Sequence, residues 1–384
     1  MIFGLCHLVF VYLFMRVAIV HDYLNQYGGA ERVLEEFLRL FPRAHLYTLL
    51  YDKARTLGRF DSHLFETSFL DWGLVARYHR PFIPFMPFAA TSLNLGDRYH
   101  LIISTTAGFA KGVRYAPGTF HLSYCHTPLR YAWEIDTYFT NPLYRIVFRP
   151  AFTYLKQWDF RAAQRPDIML ANSDFIAQKI KGYYRREAKV VHPPVDYQKF
   201  YPDASAKEGM RPREARYFLA AGRFLRYKRF DLIIDAFARL GLPLKIVGGG
   251  AEEEKLKRRS AALGAHNISF MPFVHDGELR KLYGGAAALV FPQVEDFGLV
   301  AAEAQACGAP LIAFRGGGAT EIVQEGKTGI FFESQTPEAL VDAVRRFEEM
   351  RFDRKRVSEA SRRFTAQNFR KGILDGIPPR ILEA

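Results

Sequence analysis

The stretch VEDFGLVAAEAQACGAPLIAF, residues 294–314, starts just beyond one short apolar run, 288–291, and ends in another, 311–314, with a run of small residues between them. That is the form of a strand, helix and strand in a parallel α/β layer. A helix beginning near Phe297 leaves the amides of Phe297, Gly298, Leu299 and Val300 unpaired, an anion site that needs no side chain. Glu295 stands in the turn before it, and Glu303 follows eight positions later on the helix. Acidic residues are common near helix starts because the dipole favours them, so the pair gains weight only from its company.

Outward from this stretch the same alternation covers the chain. Strand candidates at 217–221, 244–247, 268–271, 288–291, 311–314 and 329–332 make one α/β lobe, and those at 17–20, 45–49, 101–104, 121–124, 168–171 and 190–192 make another. Between them Pro193 and Pro194 end a strand ahead of the aperiodic polar stretch 201–213, the best interdomain linker. Open α/β sheets bind ligands beyond the carboxyl ends of their strands, so a site is expected in a cleft between the lobes. A dinucleotide fold is excluded on spacing, because the turn after Val247 reads Gly248-Gly249-Gly250-Ala251-Glu252-Glu253 and puts Glu253 where the third glycine belongs. No lysine-bearing phosphate loop is present either.

A cationic turn, the second signal, lies in AGRFLRYKRFDLIIDAF, residues 221–237, where Arg223, Arg226, Lys228 and Arg229 stand between a strand and an amphipathic helix. Arg223 and Lys228 there can clamp a diphosphate, although a solvated basic turn has the same composition.

With 49% hydrophobic and 24% charged residues in 384, the chain has enough apolar material for two cores. The net charge of +13 suits phosphorylated ligands or anionic lipid, but no block of Lys and Arg resembles a nucleic-acid tail, and no nucleic acid is expected. Cys6, Cys125 and Cys307 are too few and too scattered for a disulfide framework or zinc site, which fits a reducing, cytoplasmic setting. Residues 1–14 form an uncharged apolar run short of a membrane span; a start at Met15, with 1–14 a misassigned extension, is preferred over a weak anchor. RYHRPFIPFMPF (77–88) and RIVFR (145–149) mix rings with arginines, a composition suited equally to anionic headgroups at a membrane face or to a packed irregular loop.

Taken together, these motifs resemble the retaining GT-B glycosyltransferases of family 4. Glu295 and Glu303 match the family's paired glutamates with Phe297-Gly298 in register, and Gly222, Arg223 and Lys228 match its Gly-Arg-then-Lys pattern. ANSDFIAQKI followed by VVHPPVD, within 171–196, resembles the interlobe region, and GGAERV (28–33) the first turn. YCHTPLRYAW (124–133) is similar to a subgroup that adds mannose to O-antigen and other surface polysaccharides. The resemblance implies an N-terminal acceptor-binding lobe (15–198), a C-terminal nucleotide-sugar lobe (199–365) and a helical segment (366–384) returning to the first. It assigns Glu295 to hydroxyls of the transferred sugar, Glu303 to the ribose, His126 to the donor sugar, and Phe273 and Val274 to the base. Gly28 and Gly29 are assigned to close backbone approach at the donor phosphate or acceptor, and Asp22, Arg130 and Tyr131 to the acceptor. The implied donor is GDP-mannose, with a UDP-sugar as the alternative, no essential metal, and a glycan or polyprenyl-diphosphate-linked acceptor. From another class, a nonenzymatic membrane-peripheral or nucleotide-sensing protein is the competing reading.

Overall fold

The computed structural model describes residues 15–135, 142–202 and 217–383. The expectations for 1–14, and for the linker stretch beyond Pro202, lie outside the described residues. The chain divides into two compact units, one running through His192 and resuming at Phe369, the other running from Pro193 to Asn368.

The first unit is a seven-stranded parallel sheet. In chain order its strands are β1 (Val17–Leu24), β2 (His45–Tyr51), β3 (Leu64–Thr67), β4 (Leu101–Thr106), β5 (Phe120–Cys125), β6 (Ile168–Ala171) and β7 (Lys189–Val190), arranged β3-β2-β1-β4-β5-β6-β7. Both faces are covered, so β1, β4 and β5 are buried along almost their whole length, and their sequences read as continuous apolar and β-branched runs. One face packs the helix Gly29–Leu40 through Val33, Leu34 and Phe37. The same face takes Phe369, whose ring meets Phe37 at 5.2 Å and Tyr124 at 5.7 Å, so residues after 368 complete this core. The other face packs Met86, Ala89 and Leu155.

The second unit holds β8 (Phe218–Arg223), β9 (Leu244–Gly249), β10 (Ile268–Met271), β11 (Leu289–Phe291), β12 (Leu311–Phe314) and β13 (Gly329–Phe332) in the order β10-β9-β8-β11-β12-β13, all parallel. Helices Phe230–Leu240 and Pro337–Glu349 cover one face, and Leu299–Ala306 with Asp276–Gly285 the other. Each unit is thus a doubly wound Rossmann-like layer, and the α/β two-lobe reading stands. In both sheets the strand order reverses beside the first strand, between β1 and β4 and between β8 and β11. Such a reversal opens a crevice at the carboxyl edge.

Three local expectations need correction. β3 was not foreseen, because an edge strand reading Leu-Phe-Glu-Thr is half exposed and carries no apolar run. Arg223 is the last residue of β8, paired with Gly249, rather than part of the turn. The helix after Glu295 starts at Leu299, not near Phe297: Gly298 caps it at φ 101°, a conformation open to glycine.

Candidate active site

In the second unit the turns after β8, β9, β10, β11 and β12 all leave one edge of the sheet, bringing residues far apart in sequence to one place. The turn after β8 is held by Phe224, which is 1% exposed, donates its amide hydrogen bond to Gly249 O (2.8 Å) and packs on Phe230 at 4.9 Å. This anchor presents Arg223 on one side and a 3-10 turn, Arg226–Lys228, on the other. Lys228 is buried, and its Nζ is hydrogen bonded to Glu295 Oε1 from the turn after β11. The side chains are only 10% and 18% exposed, so this is a partly desolvated ion pair at the switch point.

Glycines make this convergence possible, and their role was not legible in advance. A Cβ on Gly248 would lie 1.9 Å from Gly222 O, and one on Gly250 2.8 Å from Phe224 O, so the triple-glycine turn is what lets β9 close against the Gly222-Arg223 end of β8. After β12, a Cβ on Gly317 would lie 2.3 Å from Glu295 O, and one on Gly318 2.2 Å from Phe297 O. Gly318 N donates to Glu295 O at 2.9 Å, so this turn fixes the backbone on which Glu295 rides. A spacing signal existed in Arg315-Gly316-Gly317-Gly318, but nothing local says which backbone it approaches.

Other residues singled out in the sequence lie on the turns and helix at this edge. The ring of Phe297 is core, 3% exposed and 5.2 Å from that of Phe364, leaving only its backbone for a ligand. Leu299 and Val300 supply the first two helical amides, whereas Ala301 and Ala302 already donate to Gly298 O. Glu303, one turn in, is 4% exposed, and the nearby Cys307 thiol is pushed up to about 12 by burial and by the Glu303 charge. Phe273 is 63% exposed and lies over Gly249, whose Cβ position is 3.4 Å from the ring, while Val274 packs onto the core.

The first unit gathers its own polar cluster at the β1/β4 switch. His126, just past β5, is buried; its Nε2 shares a 2.7 Å hydrogen bond with Thr105 Oγ1, and Asn172 Nδ2 donates to its carbonyl at 3.0 Å. Its ring lies 6.5 Å from that of His21, a residue the sequence does not single out because the apolar run stops at Val20 and the strand continues to Leu24. His21 Nε2 is 3.7 Å from Glu31 Oε1, its Nδ1 has no partner, and Glu31 Oε2 accepts the Gly28 amide at 2.7 Å, capping the helix Gly29–Leu40. Gly28 is therefore tied into a cap, and a Cβ there would sit 3.3 Å from Glu31 Oε2. Gly29 opens the helix. Arg130 Nε donates to Thr127 Oγ1 at 3.4 Å, and Tyr131 packs part-buried on the core.

Asp22 has a different job from the expected one. Its carboxylate accepts the amides of Ala107 (2.5 Å), Phe109 (2.8 Å) and Ala110 (2.5 Å) and the Thr106 hydroxyl, and it is 4% exposed. It builds the loop after β4 and has little capacity left for an acceptor.

Burial pushes the His126 imidazole down to about 3, with His21 adding to the effect, and pushes His121 down to about 3, with Arg165 and Arg186 adding. Both are neutral when folded at any physiological pH and ordinary when unfolded. The stability they confer is complete above about pH 6.5 and is lost as pH falls toward 3. Urea unfolding is expected to show each histidine costing about 2–3 kcal/mol between pH 7 and 4.5. Substituting His121 or His126 with Gln should flatten that dependence; an unchanged slope would show them accessible to protons in the folded state.

Two doubly wound parallel units in one chain, the second with a cation–carboxylate pair at its switch point, define a GT-B glycosyltransferase fold. Solved structures agree: Anabaena HepE in complex with UDP superposes with TM-score 0.70 at 19% identity, covering 94% of this chain and 99% of that one. The lipopolysaccharide outer core galactosyltransferase WaaB in its apo form gives 0.64 at 18%, covering 94% and 100%. The Glycosyltransferase Family 4 model matches residues 27–199, and the Glycosyl transferases group 1 model matches 203–364. The chain belongs to the family 4, group 1 glycosyltransferases. Among curated relatives, a D-inositol 3-phosphate glycosyltransferase of Nocardioides sp. is 32% identical over 56% of this chain and 54% of its own length. The GDP-mannose-dependent alpha-(1-6)-phosphatidylinositol monomannoside mannosyltransferase of Mycolicibacterium smegmatis is 30% identical over 48% and 53%. The chain spans about half the length of the curated relatives it matches.

Proposed function

We propose that this chain moves a hexose, with retention at the anomeric carbon, from a nucleotide sugar to a glycan in surface-polysaccharide assembly, and that the donor is GDP-mannose. The observation that carries the reading is the Lys228–Glu295 pair held at the switch point by close-packed glycines. Departure of the nucleotide builds negative charge on the diphosphate and positive charge on the sugar ring, and preorganised groups of both signs suit that separation. Arg223, Lys228 and the Leu299 and Val300 amides take the diphosphate, Glu295 the sugar hydroxyls, Glu303 the ribose, and Phe273 with Val274 the base. These cations do the neutralising that a divalent ion would otherwise do. The bond from the anomeric carbon to the leaving phosphate oxygen breaks as the acceptor oxygen attacks on the same face, and the leaving phosphate takes the acceptor proton. His126, neutral at working pH, is assigned to a sugar hydroxyl rather than to proton transfer.

A UDP-sugar donor is the second reading, favoured by the UDP complex of the HepE fold relative. The acceptor is proposed to be a lipid-linked glycan at the cytoplasmic face of a membrane, with a phosphorylated inositol as the competitor suggested by the relatives' names. A thermal-shift panel of GDP, UDP, GDP-mannose and UDP-sugars separates these donors, since ligand at 100 times its dissociation constant stabilises the fold by about 2.7 kcal/mol. Guanine nucleotides should give the larger shift. A uridine preference would replace the donor assignment, and silence toward every nucleotide would remove the enzymatic reading in favour of a binding protein.

A further inference from the structure

We propose that the first unit docks on an anionic lipid bilayer through one aromatic, arginine-bearing face formed by residues 69–88 and 143–154. The short helices here satisfy the core and still leave rings outside. Val75, Ala76, Ile83 and Met86 are buried, while Trp72 (69% exposed), Leu74 (70%), Tyr78, Phe85 and Phe88 face solvent. Helix Pro142–Val147 and the start of Arg149–Ala163 add Leu143, Ile146 (70%), Val147 and Tyr154. Phe88 and Tyr154 stack at 6.3 Å and 21°, which joins the two segments into one surface. An exposed apolar patch of this extent marks an interaction site.

Charge selects the occupant. No Asp or Glu occurs between Asp71 and Asp97, nor between Asp136 and Asp159, whereas those runs carry Arg77, Arg80, Arg145, Arg149 and Lys156. Arg77, Arg80 and Arg149 are exposed among the rings. A second copy meeting this face would set like charge against like, but an anionic headgroup layer complements it while the rings enter the interfacial region. Each basic residue near such a surface is worth roughly fivefold in partitioning. A mostly apolar depression of about 480 Å³, lined by Trp133 and by Thr153, Lys156, Gln157, Phe160 and Arg161 of the same long helix, adds apolar surface. Among the described residues no helix is long and apolar enough to cross a membrane, so the contact proposed is superficial. None of this rests on the donor reading.

The test is cosedimentation of the full chain, without nucleotide, with vesicles of phosphatidylcholine alone or containing about one-third phosphatidylglycerol. Binding to the anionic vesicles should exceed binding to neutral ones by roughly tenfold or more and weaken with salt. Trp72 fluorescence should be quenched by brominated lipid. Arg77→Gln with Arg80→Gln, both at the surface, should cut binding by at least about tenfold. Trp72→Ala with Phe85→Ala should do the same with an unchanged circular dichroism spectrum and unchanged nucleotide affinity. A chain starting at Met15 should bind as the full chain does. Equal binding to both vesicles, binding to neither, dependence on residues 1–14, or a dimer that the Trp72 and Phe85 substitutions dissociate would each overturn the proposal.

Discussion

Replacing Glu295 with Gln is expected to lower turnover by about two to three orders of magnitude while leaving the nucleoside diphosphate bound at least as tightly as before. The Glu295 carboxylate is ion-paired with the Lys228 ammonium. A diphosphate arriving without a sugar must share that cation with an anion of its own sign, and Gln removes the competitor. A complete nucleotide sugar offers Glu295 hydroxyl donors in exchange, so the carboxylate is fully used only with the sugar present and most of all as positive charge develops on its ring. Under the proposed assignment the pair would favour the intact donor over the spent nucleotide and assist product departure. Titration calorimetry with the diphosphate, set beside steady-state transfer, checks this; equal losses in affinity and turnover would contradict the role.

Asp159→Asn is expected to destabilise the first unit by about 3–5 kcal/mol, a fall in melting temperature on the order of 10 °C. Lys111 and Asp159 are both 0% exposed and meet at 2.5 Å, and the second Asp159 oxygen accepts from Trp133 Nε1 and Tyr184 Oη, each at 2.7 Å. Asn keeps the shape and removes the charge, leaving Lys111 uncompensated in the interior, whereas Lys111→Met combined with Asp159→Leu should recover part of the loss. Lys111 Nζ also donates to Gly108 O, in the loop whose amides clasp Asp22, so the damage should reach the carboxyl edge of β4. Thermal unfolding of the three chains gives the answer, and a neutral Asp159→Asn would mean that Lys111 finds water in the folded state.

Legibility of the fold followed burial. Strands covered on both faces, such as β4 and β12, announce themselves as apolar runs, whereas the edge strand β3 carries too little apolar pattern to register. Strand ends were read short because the last residues of β8 and β9 are Gly222-Arg223 and Gly248-Gly249, which look like turn and are held in the ladder by pairing with each other. The residue types of the site were visible in the paired glutamates and the cationic turn, but their partners were not. Nothing between positions 228 and 295 says that those two side chains meet, and nothing near Asp22 says that four donors 84 to 88 residues later will claim it. Local sequence carries capping and periodicity; the approach of one backbone to another, as at Gly317 and Gly318, is settled by tertiary packing.

The central claim is that the end of β8 and the turn after it grip a nucleotide diphosphate. Calorimetric titration of GDP and UDP into the unaltered chain and into the Arg223→Ala, Lys228→Ala double variant addresses it directly. The account predicts a folded variant, by unchanged circular dichroism, whose affinity for the preferred nucleotide has fallen by about a hundredfold or more, as losing two charge-assisted phosphate contacts requires. An affinity within a factor of about two of the original would contradict it, because two lost contacts of that strength could not leave binding intact.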